Sequence, residues 1–84
     1  MKKPELIALR QKNVAWLGDN YGWHNFECQP EAHLMRFGKE GVVINVWLSK
    51  MTVALVTNGK QYFHKKVSET QLELMFITPN QFTK

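Results

Sequence analysis

Eighty-four residues leave room for one hydrophobic core and no second one, so residues 1–84 are expected to form a single domain. An apolar fraction of 44% with 21% charged residues excludes a disordered chain, and a lone cysteine, Cys28, excludes an internal disulfide. The net charge of +4 permits an anionic partner without requiring one, because the eleven Lys and Arg are spread along the chain and form no Arg-rich run.

In chain order, Pro4 and Glu5 suit the first turn of a helix and Gly18 the position just beyond its end. Leu6, Ile7, Leu9, Val14, Trp16 and Leu17 fill about half the helical wheel, which predicts an amphipathic helix over residues 4–17. Arg10 and Asn13 interrupt its apolar stripe. Residues 18–31 carry two glycines, a proline and three aromatics and read as a connection, with a short extended piece around Phe26–Cys28. From residue 32 the period changes to that of strands. AHLMRF and VVINVWL flank Gly38-Lys39-Glu40-Gly41, and MTVALVT and KQYFHKKV flank Asn58-Gly59, a strong hairpin signal because both residues tolerate positive φ. Ser49-Lys50 suits a further tight turn. Ser68 and Gln71 form a capping box before a short helix over about residues 69–77, which Pro79 ends. The expected fold is α+β: an N-terminal helix, a four-stranded antiparallel meander and a short C-terminal helix.

Two-residue loops at Ser49-Lys50 and Asn58-Gly59, with a four-residue loop at 38–41, predict the rows of the sheet. One face carries His33–Val46–Val53–His64, Met35–Ile44–Leu55–Tyr62 and Phe37–Val42–Thr57–Lys60, extended by Leu48 and Met51. This aliphatic face should receive both helices. The other carries Ala32–Trp47–Thr52–Lys65, Leu34–Asn45–Ala54–Phe63 and Arg36–Val43–Val56–Gln61. There Thr52 and Ala54 make a shallow centre between Trp47 and Phe63, with Arg36 and Lys65 at the margins. The plainer expectation is that Tyr21, Trp23 and Phe26 fold over this second face and cover it. The alternative leaves it open as a contact surface.

His24, Cys28 and His33 have a spacing that suggests zinc, with His64 as a fourth ligand. The expected row separates His33 from His64 by ~14 Å at ~4.8 Å per strand, too far for one ion, so no metal or other cofactor is expected. Cys28 with His24 is the one local nucleophile–base candidate, and the acids Glu5, Asp19, Glu27, Glu31, Glu40, Glu69 and Glu73 fall mostly on turns and helix surfaces. The chain therefore reads as non-enzymatic. An exposed Trp47/Phe63 patch with small neighbours, flanked by Asn45, Thr52, Ala54, Arg36 and Lys65, suits a protein interface, including a homodimer through this face or through a sheet edge. The competing function is single-stranded nucleic-acid binding, with bases stacked on Trp47 and Phe63 and phosphates held by Arg36, Lys50, Lys60, Lys65 and Lys66. Lysines near an edge strand also discourage edge-to-edge aggregation, which accounts for Lys60, Lys65 and Lys66 without a ligand. No small-molecule substrate is evident. No apolar run approaches the ~18 residues of a membrane span, and the N-terminal stretch lacks the apolar core of a signal peptide, which predicts no membrane partner and a cytoplasmic protein.

The stretch from Ile44 to Pro79, INVWLSKMTV followed by NGKQYFHKKVSETQLELMFITP, resembles a pattern in small uncharacterised bacterial and viral proteins. In that pattern an INVW-like strand precedes a TV-containing strand, a GK turn, a QLFRR-like strand and a helix ending near a proline. The resemblance covers under half of the chain. It implies a topology and a mobile-element setting, with no activity attached. This chain departs from it where arginines are expected, having His64, Lys65 and Lys66.

Overall fold

The computed structural model describes residues 3–29 and 32–83. Helix α1 (Lys3–Asn20) leads into strands β1 (His24–Gln29), β2 (Leu34–Lys39), β3 (Val42–Trp47), β4 (Thr52–Thr57) and β5 (Lys60–His64). Helix α2 (Glu69–Ile77) and a 3₁₀ turn, Pro79–Phe82, follow. The strands pair antiparallel in chain order, so the α+β meander is as expected, but it has five strands rather than four.

The first helix runs to Asn20, past its expected end at residue 17, because Gly18 has a different job. A Cβ on Gly18 would sit 2.6 Å from Phe37 Cε1, so the missing side chain lets α1 lie directly on that ring. Gly22, at φ 78°, is the actual terminator. Its N–H donates to the Asp19 carbonyl at 3.1 Å and the Trp23 N–H to the Gly18 carbonyl at 2.8 Å, the paired bonds of a Schellman cap. Ile7, Val14 and Leu17 are buried, whereas Leu9 and Trp16 face out, Trp16 at 63% exposure. The two polar residues that interrupt the stripe are latches. Arg10 Nη1 donates to the carbonyls of Leu48 (2.8 Å) and Ser49 (3.0 Å), and Asn13 Nδ2 donates to Glu69 Oε1 on α2 (3.0 Å).

The fifth strand comes from the segment expected to be a connection. Trp23 turns to the helical side, where Nε1 donates to the Phe76 carbonyl at 2.9 Å and the ring lies 5.6 Å from that of Phe76. Tyr21 follows it and donates its hydroxyl to Glu73 at 2.9 Å. With both aromatics drawn to that side, the chain continues as β1 along β2. Its alternation is masked by a bulge at Phe26, between the pairs Asn25↔Phe37 and Glu27↔Arg36. Oriented to satisfy both contacts, the Asn25 amide donates to the carbonyls of Glu27 (2.9 Å) and Arg36 (3.1 Å) and braces the bulge. Pro30 and Glu31, expected in the same connection, lie outside the described residues.

The β3–β4 and β4–β5 registers are those expected, with Val46↔Val53, Ile44↔Leu55, Leu55↔Tyr62 and Val53↔His64. The β2–β3 register is not. Glu40-Gly41 makes a two-residue turn, both residues at positive φ (49° and 82°), in place of a four-residue loop. Phe37 therefore pairs with Ile44 and Met35 with Val46, two residues away from the expected partners. Conversely, the turn at Ser49-Lys50 takes four residues, Leu48 to Met51, without altering the pairing beyond it. The last strand stops at His64. Lys66, at φ 53°, bends the chain so that the Val67 N–H reaches the Met51 carbonyl at 2.9 Å and its side chain is buried.

A shift of two residues preserves which side chains share a face. Met35, Phe37, Ile44, Val46, Val53 and Leu55 form the inner face, essentially closed to solvent, beneath Ile7, Val14 and Leu17 of α1 and Leu72, Met75 and Phe76 of α2. Phe37 meets Phe76 edge-on at 5.2 Å. The predicted capping box starts α2: Gln71 N–H donates to Ser68 Oγ at 3.2 Å and Ser68 N–H to Gln71 Oε1 at 3.1 Å. Among the described residues no helix is long and apolar enough to cross a membrane.

Candidate functional site: the open face of the sheet

With both helices on the inner face, the outer face is left bare by the described residues, and Tyr21 and Trp23, expected to cover it, lie on the other side. Pairing fixes its rows. Leu34, Trp47 and Thr52 form one; Glu27, Arg36, Asn45, Ala54 and Phe63 cross all five strands in the middle; Gly38, Val43, Val56 and Gln61 form the third. Phe26, released by the bulge, lies over Gly38, where an added Cβ would come within 3.3 Å of its ring. It is the one loop aromatic that reaches this face, and at 46% exposure it adds to the surface rather than sealing it.

Trp47 and Phe63 lie on a diagonal and lean together, ring centroids 6.2 Å apart and planes 26° from parallel. Ala54 beneath them is only 1% exposed, so the expected hollow between the rings is closed by the rings themselves. Phe63 remains 57% exposed. Beside the pair a shallow depression of about 280 Å³ is lined by Trp47, Ser49, Lys50, Thr52 and Phe63. Of the cations proposed from sequence, Lys50 is the one that lines it. Lys60 pairs with Thr57 in the inner-face register, and Lys65 and Lys66 follow the end of β5, so the row joining Lys65 to Ala32 does not form.

Arg36 moves from the expected margin to the centre of the face, beside Asn45. Its Nε lies 3.3 Å from Glu27 Oε2, an ion pair without hydrogen-bond alignment, and both side chains are exposed enough for solvent to screen it. Asn45 is 9% exposed, and its Oδ1 is closed to solvent with no hydrogen-bond partner among the described residues. Two residues of this face were missed by sequence reasoning as site residues: Phe26, taken for a cover, and Glu27, taken for a turn acid. The alternation of Glu27 and Gln29 against Arg36 and Leu34 was the available signal, hidden by the bulge.

The residues considered for metal or thiol chemistry are dispersed. The bulge puts His24 in the outer-face register opposite Gly38 and Cys28 in the inner-face register opposite Met35. The Cys28 thiol is exposed and lies 3.7 Å from Gln11 Nε2, while the His64 ring meets the Phe82 carbonyl at 2.8 Å. Among the described residues no group of three or more His, Cys, Asp or Glu is placed to hold a metal ion. A larger cleft of about 460 Å³ lies between the Glu40 turn and the C-terminal segment. Two of its donors are already used, Trp23 Nε1 on Phe76 and Lys39 Nζ on the Tyr21 carbonyl at 2.9 Å. Comparison with known protein families, with curated proteins and with solved structures finds no match for this chain.

Proposed function

We propose that this chain is a non-enzymatic interaction protein that self-associates by stacking the outer faces of two sheets. The observation that carries the reading is Phe63, 57% exposed and stacked with Trp47 on a sheet face whose other side is fully occupied by helices. Five strands and about six residues per strand give a face of roughly 20 × 20 Å in plan. With side-chain relief, two such faces bury on the order of 1,000–1,200 Å², the lower edge of specific interfaces, where weak and transient associations lie. The edges are poorer candidates. β1 is bent by its bulge, and the short β5 is flanked by Lys60, Lys65 and Lys66.

Sedimentation velocity from about 1 to several hundred micromolar tests this, that range being suited to the weak associations found at so small an interface. The native chain is expected to pass from monomer to dimer, and Phe63→Ser, at a surface site, is expected to stay monomeric with an unchanged circular dichroism spectrum. A native protein that remains monomeric throughout, or a dimer indifferent to Phe63→Ser, refutes the reading.

One observation favours a second reading, single-stranded nucleic-acid binding: Lys50 lines the depression beside the exposed aromatic pair. Bases would stack on Phe63 while Lys50, Lys65 and Arg36 meet phosphates. Two or three such contacts predict a slope of roughly −1.5 to −2 for log affinity against log salt. Fluorescence anisotropy with a labelled oligothymidine measures it, and a flat response removes this reading.

A further inference from the structure

We infer that the groove between the two helices docks a basic segment of a partner protein, which lays a lysine or arginine side chain along Trp16 and against two carboxylates. The groove is on the helical side of the molecule, so it stands apart from the open sheet face and from any association there. It is a depression of about 320 Å³ lined by Asn13, Trp16 and Leu17 of α1 and by Glu69, Thr70 and Glu73 of α2. Leu17, buried, gives it an apolar floor. Trp16 forms one wall and is 63% exposed, more than any other large apolar side chain of the described residues. The apolar surface continues to either side. Leu9 stands two turns before Trp16 on the same face of α1, and Thr70, Leu74 and Ile77 share a face of α2, with Leu9, Leu74 and Ile77 all exposed. A bare apolar margin around a groove is the mark of a contact surface.

Charge identifies the occupant. The chain has eleven Lys and Arg against seven Asp and Glu, yet no cation lines this groove. The one ion pair among the described residues, Arg36 with Glu27, lies on the opposite side of the sheet. Glu69 and Glu73 are held by neutral donors instead. Asn13 Nδ2 donates to Glu69 Oε1 at 3.0 Å, and the Tyr21 hydroxyl donates to Glu73 Oε2 at 2.9 Å. These bonds fix both carboxylates in place and leave their charges uncompensated, with one oxygen of each free. Four residues apart on a helix, the two acids repel each other, and a cation between them removes that cost. An ammonium or guanidinium also suits the face of an exposed indole, while its methylene stem packs on Trp16 and Leu17. A second copy does not fit, because a twofold axis through the groove would bring the same acids together. The partner is therefore a different chain, basic at the groove and apolar where it meets Leu74 and Ile77.

A pentalysine peptide blocked at both ends tests this, titrated at low salt to about 10 mM, a range suited to contacts this exposed. The ¹⁵N-labelled native chain is followed by its three indole N–H signals. A net charge of +4 repels the peptide from the molecule as a whole, so binding must come from a local site. The Trp16 signal should shift and saturate, while those of Trp23, buried, and Trp47, on the outer face, should stay in place. Glu69→Gln with Glu73→Gln keeps an acceptor for Asn13 and for Tyr21 and removes both charges, so the affinity should fall about three- to thirty-fold. Trp16→Leu, read from the amide signals of α2, should weaken binding about two- to five-fold. A Trp16 signal that does not move overturns the inference. So does an affinity unchanged in the glutamine variant, or equal binding of the same peptide with its lysines acetylated.

Discussion

Gly18→Ala is the sharpest perturbation of the fold that the structure allows, because helix propensity and packing disagree about its sign. In an isolated helix the change would stabilise by about 1 kcal/mol. Here the new methyl carbon would stand 2.6 Å from Phe37 Cε1 and 2.8 Å from Cδ1, so the ring must retreat by roughly 1 Å to restore ordinary contact. It has nowhere to go: Phe37 is 0% exposed and its face is held edge-on by Phe76 at 5.2 Å. Overpacking of this kind costs about 1–3 kcal/mol, and the propensity gain offsets only part of it. A net loss of up to about 2 kcal/mol is expected, which lowers the melting temperature of a domain this size by up to roughly 15 °C. Urea unfolding followed by tryptophan fluorescence measures it, with an unchanged m-value expected because the surface exposed on unfolding is the same. The sign should reverse in a Phe37→Leu background, where the shorter side chain leaves room for the methyl group. A Gly18→Ala protein more stable than the native one, by the full ~1 kcal/mol of helix propensity, would refute the close approach of α1 to the sheet.

Three further outcomes follow from local geometry. Glu40 sits at φ 49° in the turn before Gly41, a conformation asparagine adopts more readily, so Glu40→Asn should raise the denaturation midpoint by the equivalent of about 0.5–1 kcal/mol; a lower midpoint would contradict the two-residue turn. Ser68→Ala removes the oxygen that accepts from Gln71 N–H and should cost about 1 kcal/mol, restored in large part by Ser68→Asp, as equilibrium unfolding of the three proteins would reveal. The Tyr21 hydroxyl is held above its usual pKa of 10.0, chiefly because it donates to Glu73, with burial and the charge of that carboxylate adding to the effect. A pKa raised in the folded state means that its contribution is complete below pH 10 and is lost as pH rises through the folded value. Phenolate absorbance during alkaline titration should therefore show a late step that Tyr21→Phe removes; a late step that survives in the variant would refute the assignment.

Much of this architecture was legible in the sequence because local signals and pattern agreed. The Asn58-Gly59 turn, the Ser68/Gln71 box and the strict alternation through Val42–Thr57 each have one low-energy solution, and the structure adopts it. What failed were places where one residue type serves two purposes. Gly18 reads as a helix terminator on chemistry alone, and nothing local says that a phenylalanine nineteen positions on needs its missing side chain. Phe26 broke the alternation of β1, so an edge strand read as an aromatic connection. Arg10 and Asn13 looked like flaws in a stripe, although each is a latch whose partner lies far along the chain.

The outer face shows why a face and a row carry different information. Side-chain period two makes face assignment immune to any register error of even size, so Leu34 and Arg36 were placed on the right face but in the wrong rows, beside Trp47, Asn45, Ala54 and Phe63, whose own pairing was right. The row is set by turn length, and Gly38-Lys39-Glu40-Gly41 misleads because glutamate is an unusual occupant of a left-handed turn position. Lengthening that turn by two residues would put Arg36 opposite Val43 and leave Asn45 beside Leu34. The two-residue turn instead brings a guanidinium and a carboxamide together at the centre of an apolar face, each with an unmet hydrogen bond. The chemistry of the candidate interface therefore depends on the φ of one residue, Glu40. A substitution there that favoured a longer turn would part Arg36 from Asn45 on the outer face and Phe37 from Ile44 in the core together.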